Sequence, residues 1–136
     1  MVDELAYGLA KFRAAADRLK ESAGRAVDDL DRDGVIKRFE FTFELFWKAL
    51  KLAVEYEGFD CAGPRSCIKE AVRRGILEDG EEALDMLDDQ NKTTHIYSEE
   101  TAREIFDRIK ERHVSLLARA ALRLEEKTRP SEGGRG

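Results

Sequence analysis

The residues best suited to chemistry lie together in the segment Asp85–Tyr97, which reads DMLDDQNKTTHIY. It contains the only glutamine and the only asparagine of the chain, followed by one of two histidines and a tyrosine. Amide, hydroxyl and imidazole groups at this density can orient a phosphate or a polar ligand. We therefore predict a substrate- or partner-binding site in this segment. Its candidate residues are Asp85, Gln90, Asn91, Thr94, His95 and Tyr97.

His95 is the candidate for acid–base chemistry. An exposed imidazole titrates at about pH 6.5, so it can act as general acid or base in RNA cleavage. Such a reaction also needs a cation to stabilise the charge that develops on the phosphate. Lys92, Arg65 and Arg103 are the candidate cations. The alternative interpretation of His95 is a structural or surface histidine.

Acidic residues of the same segment leave a second interpretation open. Asp88 and Asp89 are expected in the last turn of a helix, where the helix dipole disfavours negative charge. Either they form a solvated acidic end, or the helix ends earlier, or cations or a ligand compensate them. A divalent-metal site from Asp85, Asp88, Asp89 and His95 is the further alternative, although these residues match no known ligand spacing. We predict neither a metal site nor a cofactor.

Composition limits the classes of function. A length of 136 residues predicts one globular domain. The net charge of −5 argues against a protein that holds duplex DNA by bulk electrostatics. Since no apolar run approaches a membrane span and the first residues do not resemble a signal peptide, a cytoplasmic protein is expected. Cys61 and Cys67 are interpreted as ordinary thiols, with a redox or metal role as the alternative. The phosphate-binding and nucleophile motifs GxxxxGK[ST], GxGxxG and GxSxG are missing.

The spacing of apolar residues predicts helices throughout. A stripe from Leu5 to Ala23 predicts a first helix, and a second is expected from Val35 to Tyr56 after a break at Asp31-Arg32-Asp33 and Gly34. Aromatic residues of the second helix are expected to fill a core; they are Phe39, Phe43, Phe46 and Trp47.

Three more helices complete the prediction. Pro64 and Gly75 are expected to bound a third helix with Ile68, Ala71 and Val72 buried. A fourth begins at EDGEEALDML, and Ser98 caps the last, in which His113 is expected at the surface or boundary. The predicted fold is all-α, an antiparallel up-and-down bundle of four to five helices. Residues 1–126 form the domain, and residues 127–136 form a disordered tail.

Three separated motifs resemble a known family. They are RFEFTFELFWKALK at 38–51, GPRSCIKEAVRRGIL at 63–77 and DMLDDQNKTTHIYSEETA at 85–102. In this order they resemble the nucleotidyltransferase substrate-binding proteins of the HEPN superfamily, from the first helix to about Leu124. The resemblance implies a HEPN-like bundle that forms a homodimer. It also implies a separately encoded minimal nucleotidyltransferase as partner, typically from the adjacent gene.

The resemblance also assigns roles within the segment 85–97. The HEPN ribonuclease motif has an arginine, four to six residues, a histidine, and often a tyrosine two residues later. Gln90, His95 and Tyr97 occupy these positions, so a neutral amide replaces the charged, bidentate phosphate contact of arginine. The first hypothesis that the resemblance implies is a non-catalytic, substrate-binding subunit in a toxin–antitoxin-like pair, with Tyr97 as acceptor of a transferred nucleotide.

Two other hypotheses for the function remain open. One is a metal-independent ribonuclease with His95 at a dimer cleft, weakened by Gln90 and acting on RNA. The other is a dimeric scaffold without a ligand.

Overall fold

The computed structural model describes residues 2–95 and 98–129, and within these ranges it consists of helices and short connections. The helices are α1 (Val2–Arg25), α2 (Asp29–Tyr56), α3 (Pro64–Arg73), α4 (Gly80–Thr93), α5 (Glu99–Arg108) and α6 (Val114–Thr128), with a π-helical turn at Ile109–His113. The predicted all-α bundle is confirmed.

The core is centred on the packed pair α1 and α2, and every other helix adds buried residues to it. Phe46 is fully buried, with its ring centroid 5.6 Å from Phe12 of α1 and 5.7 Å from Phe43. Phe39 and Phe43 are buried as well, whereas Trp47 is half-buried and its indole donates to Glu44 Oε1 at 3.3 Å. The interpretation of the aromatic cluster as core is therefore confirmed.

The start of α2 differs from the prediction. The helix begins at Asp29 rather than Val35, so the predicted break at Asp31-Arg32-Asp33 and Gly34 lies inside it. Asp28 is the N-cap, and its carboxylate accepts from Asp31 N at 2.8 Å. A side-chain cap contributes about 1 kcal/mol, which offsets the similar cost of a glycine in the first turns.

Helix α3 is bounded as predicted, by Pro64 and by Gly75, whose φ of +75° ends the helical conformation. Ile68 and Ala71 are buried, but the prediction for Val72 is wrong, because its side chain is 39% exposed.

The interpretation of Cys61 and Cys67 as thiols is wrong, because the two residues form a disulfide. Gly63 is the N-cap of α3, and the first turn of that helix begins there, since the Gly63 carbonyl accepts from Cys67 N at 2.8 Å. This turn brings the two Cα atoms to 5.0 Å, a separation that a disulfide spans.

The last helical segment is continuous from Glu99 to Thr128 through the π-helical turn. Ser98 caps it as predicted, since its hydroxyl accepts from Thr101 N at 3.1 Å. Helix α6 extends two residues past the predicted domain boundary at 126, which itself stays a prediction. Most of the predicted tail, residues 130–136, lies outside the described residues. Across the described ranges, each helix is too short or too polar to cross a bilayer.

Candidate functional site

The candidate segment forms the end of α4 and the turn that follows it. Helix α4 extends to Thr93, so Gln90 and Asn91 are helical. Thr93 Oγ1 donates to the Gln90 carbonyl at 2.6 Å, and Thr94 Oγ1 donates to the Asn91 carbonyl at 2.8 Å. The two hydroxyls thus satisfy carbonyls that the end of a helix leaves without partners.

His95 is exposed in this turn, as its proposed chemistry requires. Its backbone N–H donates to the Lys92 carbonyl at 2.9 Å, which holds the turn close to the helix end. Tyr97, the second motif residue, lies outside the described residues. Asp85 is not brought to the turn, because nine residues of helix place it roughly 13 Å along the axis from Thr94.

The candidate arginines are directed to carboxylates. Arg65 Nη2 lies 3.6 Å from Asp88 Oδ1. Arg103 Nη2 lies 3.7 Å from Asp29 and 3.8 Å from Glu99, at the adjoining N-termini of α2 and α5. Each guanidinium charge is therefore offset by at least one carboxylate, which reduces what it offers to a phosphate.

Directly before Gln90, a buried ion network joins α4 to the last helical segment. Asp89 is 3% exposed, and both of its oxygens accept from Arg108, each at 2.8 Å. His113 Nε2 lies 2.7 Å from Asp89 Oδ2, and because an ionised carboxylate only accepts, this nitrogen donates. Cations thus compensate Asp89, and the expectation of a solvated acidic end is wrong for this residue.

The electrostatics of Asp89 follow from its partners. Burial raises the pKa of the carboxyl, but the hydrogen bonds and positive charge of His113 and Arg108 outweigh it and lower the pKa from 3.8 to about 2. The pKa of Arg108 is raised, mainly by its hydrogen bond to Asp89. Asp89 and Arg108 are therefore both ionised at neutral pH, and their ion pair fixes the position of α4 next to Gln90.

The comparison with known proteins decides the family. The family described as nucleotidyltransferase substrate binding protein like matches residues 3–126. The chain belongs to this family.

Two relatives of this nucleotidyltransferase substrate-binding family member come from Haemophilus influenzae. One, described as "Probable ribonuclease HepT", is 30% identical over 88 residues, 61% of this chain. The match spans about 60% of that relative's length. The other is a solved structure described as the fold of a substrate binding domain of a nucleotidyltransferase. It superposes with a TM-score of 0.64 at 21% identity, over 96% of this chain and 100% of that one, and so supports the fold.

A crystal structure from Thermus thermophilus is more similar in sequence. It is 37% identical, has a TM-score of 0.73, and covers 88% of this chain and 99% of its own. The bundle of this substrate-binding family member therefore recurs in a relative of nearly the same length.

In this family member two of the aspartates that were considered as metal ligands, Asp85 and Asp89, are instead paired with arginines. These arginines belong to a row on the last helical segment, formed by Arg108, Arg112, Arg119 and Arg123. Arg112 Nη2 lies 3.2 Å from Asp85, and Arg108 holds Asp89. Arg119 and Arg123 continue the row towards the start of α4, where they contact Asp79, Glu82 and Glu78. A group of three His, Cys, Asp or Glu side chains suited to a metal ion does not occur in the described part of the chain.

His113 is a second residue, after Val72, whose burial the sequence analysis predicted wrongly. It is 1% exposed, not a surface residue, and its ring stacks on Phe39 with centroids 5.5 Å apart. A signal was present, because His113 follows Ile109 by four residues and precedes Leu116 by three, which puts it on the buried stripe. In this substrate-binding family member the histidine thus contributes to the core and to the Asp89 network.

Proposed function

We propose that the chain is a non-catalytic substrate-binding and regulatory subunit that pairs with a separately encoded minimal nucleotidyltransferase, as one half of a toxin–antitoxin-like pair. The observation that carries this proposal is the family match over residues 3–126. The partner is the product of the adjacent gene, and the chain acts as a cytoplasmic homodimer. The turn at His95 presents the surface that the partner enzyme recognises.

The chemistry around His95 supports a binding role over cleavage. Gln90 stands where ribonucleases of the superfamily carry an arginine, and a neutral amide stabilises a developing phosphate charge less well. Arg65 and Arg103 are already directed to carboxylates. The segment is therefore better suited to hold a polar ligand than to cleave RNA.

Tyr97 is the proposed acceptor of the transferred nucleotide. The proposal rests on sequence, because Tyr97 follows the exposed His95 by two residues and matches the tyrosine of the superfamily motif. Transfer would join the phenolic oxygen to the α-phosphorus of a nucleoside triphosphate, release pyrophosphate and discard the phenolic proton.

Co-expression with the adjacent gene tests both parts of the proposal. We expect the two proteins to elute together from size-exclusion chromatography, and the intact mass of this chain to increase by a whole number of nucleotide units. Tyr97→Phe should keep the complex and abolish the added mass. Separate elution at micromolar concentrations contradicts the pairing. Added mass that persists in Tyr97→Phe contradicts only the acceptor assignment.

A second candidate function is a metal-independent ribonuclease with His95 as acid or base. It is favoured by the 30% identity to the probable ribonuclease HepT. It predicts growth arrest when the chain is expressed alone, and His95→Ala should relieve this arrest. A harmless wild-type chain that cuts no RNA rules this candidate out.

A further inference from the structure

An open groove of about 210 Å³ lies between α1 and α2. Its walls are apolar and cationic, and the lining residues are Lys11, Ala14, Ala15, Arg18, Arg38, Phe41, Thr42 and Leu45. Three of these side chains are basic and none is acidic. On a protein with a net charge of −5, such a groove is a local concentration of positive charge.

The two arginines of the groove differ from most others in the chain. Arginines on the rest of the surface form ion pairs, as Arg25 does with Glu21 and Arg73 with Glu70. Only Arg18, Arg38 and Arg129 have no carboxylate within 4.0 Å among the residues described. Two of these three exceptions therefore line the same groove, where their hydrogen-bond donors can reach an external anion.

The groove also offers an exposed aromatic ring. Phe41 is 61% exposed, although its neighbours Phe39 and Phe43 on the same helix are almost fully buried. The small side chains of Ala14 and Ala15 leave room in front of it on α1. A planar ring on an open, apolar floor is the feature on which a nucleobase stacks.

The groove is held in shape by the helix pair that forms it. Thr42 is buried, and its hydroxyl donates to the Arg38 carbonyl at 2.7 Å. At one end the helices approach so closely that a Cβ on Gly8 would lie 2.6 Å from Leu52 Cδ1. The cationic and aromatic groups are thus presented by two packed helices rather than by loops.

We propose that this groove binds a nucleotide, with its phosphate between Arg18 and Arg38 and its base against Phe41. Guanidinium groups match the geometry of phosphate oxygens, and Lys11 adds a third positive charge at the rim. A second copy of the chain is a poor occupant, because two such grooves face to face would bring like charges together. The site lies on the α1–α2 face and is separate from the segment 85–97, so it does not depend on pairing with a nucleotidyltransferase.

Isothermal titration calorimetry of the full chain tests the proposal, with AMP, adenosine and inorganic phosphate as probes. We expect one AMP to bind per chain, at least about 10-fold more tightly than either fragment, because phosphate and base each contribute contacts. Arg18→Gln combined with Arg38→Gln should weaken AMP binding by at least about 10-fold. Phe41→Ala should reduce AMP affinity to that of inorganic phosphate. All three side chains are exposed, so these variants should keep the thermal midpoint of the wild type.

Two control variants complete the design. Arg129→Gln removes the third arginine of this group, which lies outside the groove, and Lys92→Gln removes a positive charge beside His95. Both variants should bind AMP as the wild type does. The proposal is overturned if the wild-type chain does not bind millimolar AMP, or if inorganic phosphate binds as tightly. It is also overturned if Lys92→Gln loses binding while the double arginine variant retains it, since the nucleotide would then occupy the His95 segment.

Discussion

His113 Nε2 lies 2.7 Å from Asp89 Oδ2, and this contact joins the last helical segment to α4 across 24 residues of sequence. Both side chains are almost fully buried, and Arg108 completes the group by binding both oxygens of the carboxylate. Because Gln90 and the turn with His95 follow Asp89 directly, the network sets the position of the candidate site.

Substitution of Asp89 should test how much this network stabilises the fold. We expect Asp89→Asn to lower the free energy of unfolding at pH 7 by about 3 kcal/mol, because it removes the charge of an almost fully buried carboxylate that binds both Arg108 and His113. Urea unfolding followed by circular dichroism gives this value. The matched control is Asp88→Asn, whose exposed pair with Arg65 should be worth under about 0.5 kcal/mol. Similar losses for both variants would contradict the assignment.

The same carboxylate predicts how stability depends on pH. The pKa of Asp89 is about 2 in the folded protein against 3.8 normally, so the unfolded chain takes up the proton first as the pH falls. The contribution of Asp89, up to about 2 kcal/mol, is present above pH 4 and should be lost between about pH 4 and pH 2. Unfolding in urea over this range should show a smaller decrease for Asp89→Asn than for the wild type. Identical pH dependence in both proteins would refute the prediction.

The disulfide between Cys61 and Cys67 should stabilise the connection between α2 and α3. Because the disulfide closes a small loop, the double variant Cys61→Ala/Cys67→Ala should have a free energy of unfolding about 2 kcal/mol lower than the wild type. The main reason is that the unfolded chain of the variant is less restricted. Thiol titration of the unreduced, unfolded wild type should find no free thiols. Dithiothreitol should destabilise the wild type by the same amount and leave the double variant unchanged. An effect of dithiothreitol on that variant would assign the loss to another cause.

Gln90→Arg tests whether the amide is what separates this chain from a ribonuclease. Restoring a charged donor five residues before His95 should raise the rate of RNA cleavage by about 10²–10³-fold if the arginine acts as an oxyanion donor does. Cleavage of a fluorescent single-stranded RNA by Gln90→Arg is the measurement. The matched control is Gln90→Arg with His95→Ala, which should be inactive. Equal cleavage by both variants would assign the activity to a contaminant or to another residue.

Local patterns in the sequence were sufficient for most of the fold. The stripe from Leu5 to Ala23 and the cap at Ser98 are decided within a few residues, and both are confirmed. The start of α2 was predicted wrongly because two local signals disagree: Asp28 favours a helix that begins at position 29, whereas Gly34 favours a break before Val35. The spacing of apolar residues does not show which of the two signals is stronger.

The candidate site was less predictable because its decisive contacts are long-range. The sequence alone predicts that Asp89 is solvated, because nothing in it shows that Arg108 and His113 contact this residue from another helical segment. The α1–α2 groove has no linear signal either, since Arg18 and Arg38 become neighbours only when the two helices pack. Residue types were enough to identify the segment around His95 as a candidate site. The ion network of Asp89 that positions this segment is seen only when the helices are packed.

The π-helical turn at Ile109–His113 has a consequence for evolutionary comparison. A π-helical turn closes its hydrogen-bonded ring with one residue more than an α-helical turn, so it corresponds to a single-residue insertion in a helix. A homologue with a regular helix here should align only with a one-residue gap between positions 109 and 113. Without that gap, every position on one side of the turn would be compared with the wrong neighbour, and the histidine would be matched to a residue on a different face.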